Sequence, residues 1–321
     1  MSLDRRKLLK TVAAAGAAAA VSGGTSEARV RGTIPPDALG LMYDTTKCIG
    51  CKSCVVACRE ANFKKPDRTN APGGIWDTPM DLNGQTKNVI KLYKSADGQE
   101  RSYFKAQCMH CADPACVNAC MIGALQKREH GIVTYVPALC SGCRYCQMAC
   151  PFNIPKFEWT SLAPLMVKCE LCAHRAKGAA LAVDTDGFTR YPKGNGSACA
   201  EVCPRRAVIS GKRDELLAEA KRRIAANPDR YRGYREGDPP RVFGEHDAGG
   251  TQVLYLSHVP LEKLGLPDLG TEAVPETQQT IQQGIYKGFI GPIALYGLLG
   301  LAVFRARRSR KEEGPDGGGD A

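Results

Sequence analysis

The run Cys140-x2-Cys143-x2-Cys146-x3-Cys150-Pro151 constrains this chain more than any other feature. Three thiolates in one tight loop can hold three corners of an iron–sulfur cubane, and the fourth then reaches a neighbouring cubane. A second set, Cys108, Cys111, Cys116 and Cys120, lies just ahead of it. The crossover rule assigns Cys108, Cys111, Cys116 and Cys150 to one [4Fe-4S] centre and Cys120, Cys140, Cys143 and Cys146 to its neighbour. Between the sets, residues 124–127 and 132–136 read as short strands joined by a polar turn with Gly131, a hairpin that holds the two loops apart.

The same spacing recurs at Cys48, Cys51, Cys54 and Cys58, with Gly50 matching Gly142 and Ala57 matching Ala149, so the unit is duplicated. A fourth set is split: Cys169 and Cys172 are separated from Cys199 and Cys203-Pro204 by a glycine-rich excursion from Gly178 to Gly196. Crossover groups Cys48, Cys51 and Cys54 with distant Cys203, and Cys169, Cys172 and Cys199 with Cys58. The ends of the cysteine region then fold together, with 207–210 as the strand partner of 41–44. The expected fold is α+β: two interleaved bacterial-type ferredoxin domains of two clusters each, one central (108–163) and one split (41–61 with 164–212). Four [4Fe-4S] clusters are expected in a row, the central domain supplying the inner pair and the split domain the outer pair.

Structural zinc competes for paired cysteines, but zinc sites use pairs, whereas C-x2-C-x2-C-x3-C supplies three corner ligands plus one. All 16 cysteines fall into the four sets, which leaves none for disulfides. The formal charge of +11 invites a nucleic-acid reading. Each tetrathiolate cluster adds about two negative charges, and no basic stripe interleaves with aromatics, so nucleic acid is excluded as a partner. No catalytic carboxylate pair, P-loop or complete dinucleotide fingerprint is present; Gly194-x-Gly196 stands alone. Asp113 is read as setting a local turn, and His110 and His174, beside cysteines, as polar surface that could bond sulfur or face a partner. The chain is read as having no active site of its own.

The N-terminus joins Arg5-Arg6 to an alanine-rich run, Thr11 to Val21, and to Ser26-Glu27-Ala28, the order of a twin-arginine signal over 1–28. A basic helical start of a cytosolic domain is the plainer alternative. That route exports folded proteins, as clusters assembled in a reducing cytoplasm require. The insertion 62–107 reads as polar with a hairpin, 88–93 and 101–106, and no evident chemistry. An extension, 213–283, carries an amphipathic helix from Asp214 to Ala226 with Leu217, Ala220 and Ile224 on one face, a strand from Gln252 to Leu256, and a linker after Gly265. The uncharged run 288–304 would extend about 26 Å as a helix, close to the roughly 30 Å hydrocarbon core, and with 285–287 makes a transmembrane helix over 285–304. The alternative is a buried helix of a soluble domain. Arg305, Arg307, Arg308, Arg310 and Lys311 place the tail 305–321 in the cytoplasm and the cysteines outside, on the periplasmic side of a bacterial inner membrane.

Four cysteine sets in this order resemble the four-cluster iron–sulfur subunits of the molybdopterin-oxidoreductase family, from about Leu41 to Ile209. Met121 departs from the pattern, standing after Cys120 where proline is common. The export signal, the single tail helix and the tracts Cys48-Ile49-Gly50-Cys51, Gln107-Cys108-Met109-His110-Cys111 and Gly249-Gly250-Thr251-Gln252-Val253 narrow this. Together they resemble the hydrogenase-2 type iron–sulfur proteins, the hydrogenase-2 operon protein A family. The resemblance implies a non-catalytic subunit that carries electrons from the small and large subunits of a periplasmic nickel–iron hydrogenase to an integral membrane, quinone-reactive partner. The runner-up is a membrane-anchored beta subunit of a formate dehydrogenase.

Overall fold

The computed structural model describes residues 33–62, 80–159, 164–176 and 178–275, with isolated helical positions at 297, 300 and 304. The signal expected over 1–28 lies outside the described residues, and so does the transmembrane helix expected over 285–304, those three positions apart. Among the described residues no helix is long and apolar enough to cross a membrane.

In chain order the elements are β1 (Leu39–Asp44), α1 (Ser53–Ala61), the hairpin β2 (Asn88–Lys94) and β3 (Arg101–Gln107), and α2 (Ala115–Asn118). The short hairpin β4 (Leu125–Lys127) and β5 (Val133–Tyr135) precedes α3 (Tyr145–Ala149), β6 (Lys156–Phe157) and β7 (Met166–Val167). The split domain closes with β8 (Ala182–Val183), β9 (Thr189–Arg190), α4 (Ala198–Glu201) and β10 (Val208–Lys212). After it come α5 (Arg213–Ala226) and β11 (Val253–Leu256).

β1 is buried along its length because it is covered on both faces. Successive side chains in a strand point opposite ways. Leu41 and Tyr43 therefore join the core around the cysteines, while Met42 joins a second core with Ile209, Leu216, Ala220, Leu254 and Leu256. β10 pairs antiparallel with β1, as expected, with Met42 opposite Ile209. The strand expected from Gln252 to Leu256 forms as β11, which takes the free edge of β1 in parallel, with Met42 opposite Leu254. The order β10-β1-β11 thus ties the start of the cysteine region to its end and to the extension.

α5 lies on this sheet through Leu216 and Ala220, both fully buried and one turn apart, with Leu217 and Ile224 at the margin. Not all of its basic residues face solvent: Arg223 turns inward to the Asp44 carboxylate at 2.9 Å, and Arg213 is buried. Asp44, fully buried, also accepts from the Tyr231 hydroxyl at 3.2 Å and from the Thr46 amide and hydroxyl at 3.0 and 2.6 Å. The stretch after Gly265, expected as linker, packs onto the body through buried Leu266, whose carbonyl accepts from Tyr234 Oη at 2.8 Å.

The β2–β3 hairpin lies against the same core. Tyr43 Oη donates to the Tyr103 carbonyl at 2.7 Å, and Tyr255 Oη donates to the Lys105 carbonyl at 2.6 Å. Two tyrosines of the central sheet therefore fix the height at which β3 crosses it.

Removing one partner of a buried ion pair leaves the other charge stranded, at a cost of about 3 kcal/mol. Asp44→Ala should therefore lower the apparent Tm of the loaded protein by roughly 6–12 °C, measured by thermal unfolding under anaerobic conditions. A change within 1–2 °C would show that Asp44 does not fasten α5 to the sheet.

Candidate metal centres

None of the sixteen cysteines is in a disulfide, and they converge in four groups of four. Cys48, Cys51, Cys54 and Cys203 line one small pocket together with Tyr43, Ile90 and Val208. Cys58, Cys169, Cys172 and Cys199 line a second, beside Leu41 and Asn88. The Cys111 thiol lies within electrostatic reach of Cys108, Cys116 and Cys150, and the Cys146 thiol within reach of Cys120, Cys140 and Cys143. Every group takes one thiol from a stretch distant in the chain.

Between groups the neighbours are also definite. Cys54 and Cys58 stand one turn apart on α1, Cys108 is within reach of Cys169, and Cys116 within reach of Cys146. The groups therefore run from that of Cys48, through that of Cys58 and that of Cys108, to that of Cys140. This corrects the expected row, which put both central groups inside. The physical reason is that α1 binds the two split groups to each other, so the two domains meet end to end through Cys108 and Cys169. Cys51 and Cys143 alone among the thiols are exposed, one at each end.

The local backbone repeats with the chemistry. In each set the residue before the second cysteine has a positive φ: Gly50 at 71°, His110 at 49°, Gly142 at 74° and Leu171 at 48°. That conformation turns its N–H back to the first sulfur, at 3.4 Å for Gly50 to Cys48, Gly142 to Cys140 and Leu171 to Cys169. The His110 amide makes the equivalent bond to Cys108. Glycine marks two of the four turns in the sequence; histidine and leucine, which reach positive φ at a cost of about 1–2 kcal/mol, conceal the others.

Burial pushes the Cys54 thiol up to about 11, the nearby Lys105 ammonium acting against it. Burial, then Cys169, pushes Cys58 up to about 12. Such thiols gain a charge only in the presence of a cation that repays the desolvation, as metal ligands do. Among the described residues no three His, Cys, Asp or Glu side chains converge on a single metal ion.

The polar atoms around the thiols fit an iron–sulfur centre. Among the described residues, the buried side-chain nitrogens without a hydrogen-bond partner include Arg59 Nε, Gln107 Nε2, His110 Nε2 and Arg144 Nε. Each of these residues is adjacent in sequence to a cysteine, beside Cys58, Cys108, Cys111 and Cys143 respectively. Sulfide-rich clusters supply the acceptors that these donors lack, and hydrogen bonds to sulfur tune their potentials.

His110 was expected at the surface and is instead fully buried. Burial, then the Lys168 ammonium, hold its pKa well below the usual imidazole range. Its Nδ1 accepts from the Val133 amide at 3.1 Å, so Nε2 carries the proton. His174 is exposed and bonds the Ala61 carbonyl at 2.9 Å. Asp113 accepts from Asn118 Nδ2 at 2.7 Å and fixes the turn before α2. Sequence reasoning missed the inner face of the hairpin, where Asn88, Lys105 and Gln107 are all buried. The only sign was an alternating strand that placed a lysine where a core residue belongs.

Profiles of 4Fe-4S dicluster domains match residues 99–213 and 47–125. Fold and site together define a protein of the 4Fe-4S dicluster class. Over 99% of both chains, it is 37% identical to the Hydrogenase-2 operon protein HybA of Escherichia coli O157:H7. The chain belongs to the HybA family of iron–sulfur proteins. It is also 30% identical to the formate dehydrogenase iron-sulfur subunit of Haemophilus influenzae, over 82% of this chain and 77% of that one. A third relative is the nitrate-inducible formate dehydrogenase iron-sulfur subunit of Escherichia coli K12, 31% identical over 80% of each chain.

An alanine Cβ at Gly142 would fall 2.8 Å from Pro164 Cδ in a left-handed conformation. At Gly98, φ 73°, it would meet nothing within 4 Å. Gly142→Ala should therefore reduce the iron bound per chain, while Gly98→Ala costs only about 1 kcal/mol and no iron. Equal iron in both variants, by colorimetric assay, would remove the turn at Gly142 from the site.

Proposed function

We propose that the chain is the electron-transfer subunit of a nickel–iron uptake hydrogenase, carrying four [4Fe-4S] clusters. They are held by Cys48, Cys51, Cys54 and Cys203; by Cys58, Cys169, Cys172 and Cys199; by Cys108, Cys111, Cys116 and Cys150; and by Cys120, Cys140, Cys143 and Cys146. The carrying observation is the row of four thiol groups with one exposed thiol at each end. When bound, each cluster supplies a one-electron redox centre. The chain's residues hold those centres in file, direct N–H groups at the sulfurs and keep water from the middle of the row.

Two partners suit two ends. Close in sequence to Cys120, Cys140, Cys143 and Cys146, the residues Met121, Leu139, Tyr145 and Met148 are exposed, as is Trp159, whose ring lies 3.8 Å beneath the Arg144 guanidinium. Around Cys51 stand Ile49 and Val56, also exposed. Exposed apolar side chains gathered into a patch mark protein contacts. One end faces the hydrogenase small and large subunits and the other an integral membrane, quinone-reactive subunit. The twin-arginine segment 1–28, the anchor 285–304 in membrane lipid and the tail 305–321 put the whole on the periplasmic face of the inner membrane. The similarity to a Hydrogenase-2 operon protein over nearly the whole chain favours hydrogenase over formate dehydrogenase.

Cys143→Ser should abolish hydrogen-dependent quinone reduction by the membrane-bound complex, while hydrogen oxidation with an artificial acceptor stays within about twofold. Quinone reduction at the parental rate would refute the row of centres as the route.

A further inference from the structure

Lys105 is fully buried, and no carboxylate pairs with it among the described residues. Among the described residues its ammonium donates to Gln107 Oε1 alone. By contrast, the buried Lys168 is held by two carbonyls, those of Val133 and Cys169. Burying an ammonium costs several kcal/mol unless a counter-charge repays it, and the counter-charge has to be sought in what surrounds Lys105.

The hairpin register says what that is. Directly opposite residues of an antiparallel pair share one face. Lys105 lies opposite Ile90, and Gln107 opposite Asn88. Ile90 lines the space among Cys48, Cys51, Cys54 and Cys203, and Asn88 the space among Cys58, Cys169, Cys172 and Cys199. The lysine is thus set on the wall shared by the first two groups of the row. The Tyr255–Lys105 hydrogen bond fixes its backbone there. Cys199, Cys54, Cys169 and Cys58 are the thiols that interact with it electrostatically; the thiols of the Cys108 group have Lys168 instead.

We infer that Lys105 is the internal counter-cation of the two centres of the split domain, raising the reduction potentials of both and leaving those of the central domain unmoved. The inference rests on the cluster assignment proposed above. An electron arriving at either centre adds one negative charge, and an ammonium already in place stabilises it without uptake of a proton. In a region this dry, screening is weak and the effect of one charge is large. Lys105 would therefore keep the split pair reducible enough to exchange electrons with the central pair.

The test is an EPR-monitored redox titration of the detergent-extracted complex containing the full chain, with iron and sulfide assayed on the same samples. Lys105→Met should lower two of the four potentials by at least tenfold in the one-electron equilibrium, about 59 mV each. Lys105→Gln should do the same, Lys105→Arg should restore them, and the exposed Lys94→Met should change none. Four unmoved potentials in Lys105→Met with full iron and sulfide would overturn the proposal. So would loss of iron in all three Lys105 variants, which would mean that the side chain serves packing. Loss of iron in the two uncharged variants with retention in Lys105→Arg would support it. If the parental chain holds zinc without sulfide, it is the cluster assignment that fails, a result separable from any shift in potential.

Discussion

Each group of four thiols closes only when two distant stretches of chain meet, and this requirement organises the rest. Cys203 must return to Cys48, Cys51 and Cys54, so β10 runs back along β1 and the central sheet forms at the seam. Cys58 must reach Cys169, Cys172 and Cys199 while Cys54 serves another group, so α1 holds two groups one helical turn apart. The sheet, α5 and β11 then seal a seam whose position the thiols have set. Burial of Leu216 and Leu254 contributes about 2–3 kcal/mol each, yet without four-fold convergence these apolar faces would have no fixed partner.

The second constraint is electrostatic. Sixteen thiols, all but two of them at least partly buried, become ligands only as thiolates. Backbone N–H groups turned by four positive-φ residues answer part of the demand. Buried donors beside the cysteines answer more, and two buried lysines supply the full positive charges. Lys105 stands beside the two groups of the split domain and Lys168 beside the Cys108 group. The formal excess of +11 therefore describes a chain without its cofactors.

Much of this was legible in the sequence because ligand spacing is a local, discrete code. The four groups, the crossover and the β1–β10 pairing follow from it, and strand alternation gave both hairpins. What remained hidden depended on distance in space. The row order turns on the approach of Cys108 to Cys169, which no spacing records. Leu171 and His110 adopt backbone angles that residue type argues against. Lys105 looks like any strand lysine until its register with Ile90 is known, and Arg223 looks solvated until Asp44 is found beneath it.

The account stands or falls on what sixteen thiols bind. Iron, acid-labile sulfide, zinc and nickel measured per copy of this chain, in the complex extracted from membranes under anaerobic conditions, decide it most directly. About sixteen iron and sixteen sulfide from four clusters, above the content of the catalytic subunits, with nickel present and zinc negligible, is the predicted result. Zinc in place of iron, or iron without sulfide, would contradict it.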